Sequence, residues 1–294
     1  MTFTITAKCQ NCGITIRNDF TNATKLELND RGGRTAYLCA RCSDKWSLLE
    51  SYSSENRKTR GSGNRFNDTI SYELETDYTS QLARIEILHH NFLATHDSTV
   101  DIEFKSPIYH GKKALIKKAK TIDSLIQSGD MEIGEGCGTH VHVGTNNTGE
   151  LTPETHEYIR RFYHSLFVPL SDYLVAHPEE CEKVFGRSLE EYSYYQPINE
   201  YSEPLNHSNF INVQHYSDEC CTIEYRVCKF VNYRQFCNMI HMVVDMNHIL
   251  YTNFIDHFND TPKSGTKTQY RKHKADVTAK KLVKCFQKYL SNLD

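Results

Sequence analysis

Two cysteine pairs near the N-terminus have the spacing of a metal site. They are CQNC, with Cys9 and Cys12, and CARC, with Cys39 and Cys42. Each pair can bring two thiolates to one ion, and the residues between the pairs include NDRGGR, which can turn a hairpin. The pattern predicts a zinc ribbon over residues 1–50, in which four thiolates hold a structural Zn²⁺. A redox-active dithiol and a chance occurrence are the alternatives.

A second group of candidate ligands lies in four segments in which polar and apolar residues alternate. These segments are TISYELET, TVDIEFKS, THVHVG and TIEYRV. Residues i and i+2 of a β-strand lie on the same face, so each segment places apolar side chains on one face and polar ones on the other. The polar set consists of Glu73, Glu75, Asp101, Glu103, His140, His142, Glu224 and Arg226.

This polar set favours the chemistry of divalent cations and phosphate. Massed carboxylates repel one another unless cations lie between them, and carboxylates with a histidine suit Mg²⁺ or Mn²⁺. An arginine beside them suits a transferring phosphoryl group, because its guanidinium matches phosphate oxygens. The sequence has no Walker loop, glycine-rich kinase loop or GxSxG elbow, so a nucleotide would have to bind the sheet face itself. For each strand taken singly, solvated polar residues are the alternative.

Helical periodicity predicts the elements that would support these strands. Helices are expected over 111–129, 151–167, 233–255 and 276–290, with Thr152 as an N-cap and Pro169 bending or breaking the second of them. Residues 263–275 are expected to be loose. These helices could cover the apolar face of the strands. The pattern therefore predicts an α+β fold, with an antiparallel sheet that has one helix-covered face and one polar face.

Composition divides the chain into four predicted regions. Residues 1–50 are the zinc ribbon, 51–67 a polar linker, 68–260 the catalytic domain, and 261–294 a basic tail with an amphipathic C-terminal helix. The chain has 294 residues and 11 cysteines. An odd cysteine count without a secretion signal argues against a disulfide framework, so the seven cysteines outside the two pairs are expected mainly to pack in the core.

Charge is unevenly distributed along the chain. Residues 1–66 carry a net charge of +5, residues 67–262 of −15 and residues 263–294 of +7. The acidic middle suits divalent cations, and the basic ends suit nucleic acid or an acidic protein partner, with a solvated surface as the alternative for each. The sequence has no apolar run long enough to span a bilayer and no secretion signal. A cytoplasmic protein without a membrane partner is therefore expected.

Four motifs in this order resemble the amidoligase family. They are ELE (73–75), HDSTVDIEFKSPIYHG (96–111), GCGTHVHVG (136–144) and TIEYRVCKF (222–230). The resemblance covers about residues 68–256. The family belongs with the carboxylate–amine ligases of glutamine synthetase type. The resemblance therefore implies a glutamine synthetase-like fold and a reaction in which ATP phosphorylates a carboxylate and an amine then displaces the phosphate.

The resemblance also implies a role for individual residues. By motif position, the Mg²⁺ or Mn²⁺ ligands are Glu73, Glu75, Glu103, His140 and Glu224. The residues expected to contact the nucleotide or its transferring phosphoryl group are His142, Arg187 and Arg226. The expected catalytic residues are Glu75, Glu224 and Arg226. For Arg187 a surface arginine is the alternative, and Asn212 is either a site residue or a structural one.

The chain departs from glutamine synthetases in three ways. Fewer carboxylates match, so one metal site is either incomplete or completed by Asp101. The region around their ammonium site is missing, so ammonia is not the expected nucleophile. The zinc ribbon is an addition. The substrates are expected to be a carboxylate and an amine, with peptide or protein tagging and cell-wall precursor modification both open.

Two other functions compete with the ligase. One is a non-catalytic adaptor, whose zinc ribbon and basic tail bind nucleic acid or protein and whose ligase-like domain is degenerate. The other is a metallohydrolase that uses His140 and His142. It is disfavoured because the further histidines usual in such sites are not found. Binding of ATP with Mg²⁺ would separate the ligase from both.

Overall fold

The structure is a computed structural model, and it describes residues 7–9, 15–16, 23–27, 35–39, 59–60, 69–90, 92–95, 100–146, 153–189, 209–217, 220–259 and 267–293. Within these ranges the chain forms fourteen strands and six helices. The strands are β1 (Ala7–Lys8), β2 (Thr15–Ile16), β3 (Ala23–Glu27), β4 (Thr35–Cys39), β5 (Thr59–Arg60), β6 (Thr69–Thr76), β7 (Tyr78–Thr79), β8 (Leu93–Thr95), β9 (Ile102–Lys105), β10 (Ile108–His110), β11 (Met131–Glu132), β12 (Thr139–Asn146), β13 (Ile211–Ser217) and β14 (Cys220–Tyr225). The helices are α1 (Gln81–His89), α2 (Lys112–Gln127), α3 (Pro153–Ala176), α4 (Pro178–Phe185), α5 (Tyr233–Asn259) and α6 (Lys267–Leu290).

The mixed fold with an antiparallel sheet is confirmed. All four strands expected to carry polar residues are present as β6, β9, β12 and β14, and the pairs β6–β9, β12–β14 and β13–β14 are antiparallel. Helix α2 ends just before Gly129, whose φ of 72° is the left-handed conformation that glycine favours at a helix terminus. Strand β14 ends at Tyr225, so Arg226 lies just beyond the strand.

One helix prediction is wrong, and part of another is wrong. Helix α3 continues through Pro169, so the break that was one of the two expected outcomes does not occur, while the bend stays a prediction. Phe167 and Leu170 on either side of this exposed proline are fully buried, so core packing holds the helix across the missing N–H. Residues 267–275 were expected to be loose, yet α6 begins at Lys267. The residue at the predicted N-cap, Thr152, lies outside the described residues.

Contacts divide the chain into two compact units. The first comprises residues 1–60, 73–108 and 117–138, and the second comprises residues 61–72, 109–116 and 139–294. Strand β6 belongs to both, because the boundary falls between Tyr72 and Glu73.

In the first unit, β8, β9 and the second half of β6 form antiparallel pairs, and β7 pairs with β11. Leu74 and Phe104 lie opposite each other and are buried on the apolar face of the β6–β9 pair. Two further antiparallel pairs, β1–β2 and β3–β4, lie in the N-terminal residues, and β1 contacts β4. The short strand β5 lies within the segment predicted as a linker.

In the second unit, the strand order is β13-β14-β12-β6-β10. Helix α5 contacts β12, helix α3 contacts β13, and both helices pack against α6. One face of these strands is therefore covered by helices, as expected for strands that alternate between apolar and polar residues. Six side chains with at most 2% exposure form the apolar part of these strands: Val141, Val143, Ile211, Val213, Ile223 and Tyr225.

The described cysteines form no disulfide. Among the seven outside the two CxxC pairs, Cys137, Cys181, Cys228 and Cys285 are buried, which confirms their packing role. Within the part of the chain that the structure describes, no helix combines the length and hydrophobicity needed to cross a lipid bilayer.

Candidate functional site

The register of three strands in the second unit places polar residues side by side. Glu224 on β14 lies opposite His142 on β12 and opposite Asn212 on β13. His140 lies two residues before His142 and therefore on the same face. Arg226, two residues after Glu224, follows the end of the strand.

Glu224 is the centre of this group, which we call the Glu224 cluster (His140, His142, Asn212, Glu224 and Arg226). Arg226 Nη1 donates to Glu224 Oε1 over 2.7 Å, and Asn212 Nδ2 donates to Glu224 Oε2 over 3.2 Å. His140 Nδ1 lies 3.5 Å from Glu224 Oε1, and His142 Nε2 lies 3.9 Å from the same oxygen. One carboxylate thus contacts a guanidinium and an amide and has two imidazoles close by.

Burial strengthens the electrostatic interactions within the Glu224 cluster, because water is largely excluded from it. Glu224 is 1% exposed and His142 is 2% exposed, so neither is the solvated strand residue that the sequence left open. A buried charge is costly unless it is paired and hydrogen-bonded, and Arg226 and Asn212 provide this pairing for Glu224. The side chain of Arg226 is 17% exposed, so it is not fully sealed from solvent.

A second group of polar residues lies in the first unit. We call it the Lys105 cluster (Glu73, Thr95, Glu103 and Lys105). Lys105 Nζ lies 3.3 Å from Glu73 Oε1 and 3.0 Å from Glu103 Oε2, and Thr95 Oγ1 donates to Glu103 Oε2 over 2.6 Å. Glu73 and Glu103 offer carboxylate oxygens within 4.8 Å of each other, a spacing compatible with a shared cation.

The two carboxylates change the acidity of the lysine. Burial lowers the pKa of Lys105, but the charges of Glu73 and Glu103 and their hydrogen bonds outweigh it, so the pKa is raised above its ordinary value. Lys105 is therefore an ammonium ion at neutral pH. Lys105 belongs to the alternating segment TVDIEFKS, which places it on the same face as Glu103, although it was not among the candidate site residues. Its position two residues after Glu103 was the available signal.

Glu75 is held by a glycine-containing loop. Its carboxylate Oε2 accepts a 2.5 Å hydrogen bond from the main-chain N–H of Gly138, while its own N–H donates to the Gly138 carbonyl. In the same loop, Cys137 donates to Asp77 Oδ1 over 3.0 Å. Burial, with this hydrogen bond, raises the pKa of Cys137 to about 12, so the thiol stays protonated. Glu75 lies opposite Glu103 in the β6–β9 register.

Arg187 is not a surface residue. It is 2% exposed and follows α4 directly after Gly186, whose φ is 85°. Its charge lowers the pKa of the neighbouring Cys228, although burial dominates and leaves that pKa raised. The surface alternative for Arg187 is therefore wrong, and its expected contact with a phosphate stays a prediction.

Asp101 does not belong to the Lys105 cluster. Its carboxylate forms an exposed ion pair with Arg84 over 2.8 Å. The positive charge of Arg84 already balances the negative charge of Asp101, so Asp101 is a poor candidate for completing a metal site.

Half of the predicted zinc ligands lie within the described residues. Cys9 follows β1 and is buried, Cys39 ends β4 and is partly exposed, and β1 and β4 contact each other. Cys12 and Cys42 lie outside the described residues. The zinc site and its ribbon stay predictions.

A family model described as putative amidoligase enzyme matches residues 15–229. The match includes every member of the Glu224 and Lys105 clusters, and it begins within the segment predicted as the zinc ribbon. No curated protein matches the chain.

Proposed function

The chain belongs to the amidoligase family, and from this premise we propose that it is an ATP-dependent ligase that joins a carboxylate to an amine. The carboxylate oxygen would attack the γ-phosphorus of ATP, with ADP as the leaving group. The amine nitrogen would then attack the carbonyl carbon of the acyl phosphate. Phosphate would leave, and the nitrogen would lose a proton to give the amide.

The Glu224 cluster is the observation that carries this proposal. A transferring phosphoryl group spreads negative charge over its oxygens, and a preorganised guanidinium can stabilise that charge. Arg226 is held by Glu224 over 2.7 Å yet keeps part of its surface exposed. We assign Arg226 to the phosphoryl oxygens and Glu224 to the orientation of Arg226, while Asn212 fixes the opposite oxygen of Glu224.

The donor sets also fit Mg²⁺ or Mn²⁺. The carboxylates of Glu73 and Glu103 are hard oxygen donors, and Nδ1 of His140 lies 3.5 Å from a carboxylate oxygen of Glu224. We propose that Glu73, Glu75, Glu103, His140 and Glu224 hold divalent cations, which would neutralise phosphate charge when bound. His142 and Arg187 are proposed to contact the nucleotide phosphates. The fold is proposed to be glutamine synthetase-like.

Calorimetry with ATP and Mg²⁺ tests the binding step. The ligase predicts saturable binding that is lost in Glu224→Gln, because this change removes the carboxylate charge and keeps the side-chain size. The matched control is Glu157→Gln, since Glu157 lies partly exposed on α3 and pairs with Arg160 and Arg161. A folded protein that binds no ATP would support the adaptor instead.

Turnover is tested by release of ADP and phosphate in the presence of mixed amino acids and peptides. The expected result is ADP release that depends on both an amine and a carboxylate, with an amide product identified by mass spectrometry. ADP release without an amide, at every combination of substrates, would contradict the ligase and indicate a phosphatase-like activity.

A further inference from the structure

Lys105 lies between the carboxylates of two predicted metal ligands, Glu73 and Glu103. In the β6–β9 register it is directly opposite Glu73, and along its own strand it is two residues after Glu103. All three side chains therefore point to the same face. The lysine nitrogen lies 3.3 Å from Glu73 Oε1 and 3.0 Å from Glu103 Oε2.

This arrangement differs from an ordinary surface ion pair. The side chains of Glu73 and Glu103 are 10% and 11% exposed, and that of Lys105 is 21% exposed. An exposed pair contributes little, because water competes for both charges. Here water is largely excluded, and two carboxylates share one ammonium, so removal of the ammonium would leave two close negative charges with little solvent to screen them.

Thr95 strengthens the same arrangement from the neighbouring strand. Its hydroxyl donates to Glu103 Oε2, the oxygen that also contacts Lys105. That oxygen thus receives two donors in the absence of any added ion. A divalent cation that used this oxygen would have to replace the lysine contact.

We propose that Lys105 is a tethered cation that competes with divalent ions for Glu73 and Glu103 and so sets the metal affinity of the Lys105 cluster. The inference rests on the proposed function only in that these carboxylates bind Mg²⁺ or Mn²⁺. Lys105 acts through the carboxylates and is a positioning residue. It holds Glu73 and Glu103 together before an ion arrives.

The test is calorimetric titration of the full chain with Mn²⁺, without nucleotide. Lys105→Met removes the competing charge but keeps a flexible apolar side chain. The variant is expected to bind Mn²⁺ at least about tenfold more tightly than the wild type, which corresponds to about 1.4 kcal/mol. Lys105→Arg keeps the positive charge and is expected to bind Mn²⁺ about as weakly as the wild type.

A matched control separates this effect from a general change in net charge. Lys120 lies exposed on α2 and makes none of the contacts of the Lys105 cluster described above, so Lys120→Met removes one positive charge from outside that cluster. This variant is expected to leave Mn²⁺ affinity unchanged. Equal tightening in Lys120→Met and Lys105→Met would overturn the inference, as would equal Mn²⁺ affinity in Lys105→Met and the wild type.

Thermal melting provides a second measurement. Without metal, Lys105→Met is expected to melt below the wild type, since the two carboxylates repel each other. Saturating Mn²⁺ should close that gap, and a variant that Mn²⁺ fails to stabilise would overturn the inference. If neither protein binds Mn²⁺ while folded, the metal sites of the proposed function fail together with the role of Lys105. If both bind it equally, only the role of Lys105 fails.

Discussion

Replacement of Arg226 by alanine separates a catalytic role from a purely structural one. In the structure, Arg226 forms the shortest of the described contacts to Glu224, at 2.7 Å. Alanine removes the guanidinium and leaves the Glu224 carboxylate, which is 1% exposed, without that partner. The change should therefore affect stability as well as any reaction that uses the guanidinium.

The size of the stability loss follows from the burial of the pair. Loss of one partner from a fully buried ion pair costs about 3–5 kcal/mol. Arg226 is partly exposed and Asn212 still donates to Glu224, so we expect a lower value of about 2–3 kcal/mol. For a chain of 294 residues, this corresponds to a fall in melting temperature of roughly 3–5 °C. Arg160→Ala is the control, because Arg160 pairs with the partly exposed Glu157 at 2.9 Å and its loss should cost at most about 1 kcal/mol.

The assay measures melting and ADP release on the same sample, at a temperature where each variant is folded. Metal binding should remain in Arg226→Ala, while turnover falls by about 10²–10³-fold, the usual loss when a preorganised charge stabiliser is removed. A destabilised variant with normal turnover when folded would refute the catalytic role of Arg226. An unchanged melting temperature would refute the argument that the buried Glu224 depends on this pair.

Three further predictions concern other parts of the chain. Gly186→Ala should lower the free energy of unfolding, measured by chemical denaturation, by about 2 kcal/mol more than Gly111→Ala does. Both glycines have positive φ, but only at Gly186 would a Cβ lie 2.5 Å from a backbone carbonyl oxygen, so equal losses would contradict this reasoning. Cys39→Ser should abolish zinc binding, as measured by metal analysis of the purified protein, and full zinc retention would rule out the ribbon. Burial raises the pKa values of Cys137 and Cys181 to about 12, so both thiols should resist iodoacetamide at pH 7.5 in the native protein and react once it is unfolded; rapid native labelling, detected by mass spectrometry, would show that the burial is wrong.

The positions of the main strands were predictable because their alternation is a local property of the chain. His140 and His142 are two residues apart, and this spacing alone places both imidazoles on one face of β12. Helix α2 was equally predictable, because its apolar residues repeat at helical spacing and Gly129 ends the pattern. Local rules failed at Pro169, where contacts made by the neighbouring buried residues keep α3 helical.

The contacts within the two clusters depended on tertiary structure. The sequence alone determined which residue types share a strand face, and hence that Glu224 and Arg226 are candidates for phosphate chemistry. It did not determine that Asn212 lies beside Glu224 or that Lys105 faces Glu73, because register depends on hydrogen bonds between strands that are distant along the chain. Packing alone also decided how deeply these side chains are buried. Burial excludes most water from them, so polar residues that merely share a strand face become closely paired charges.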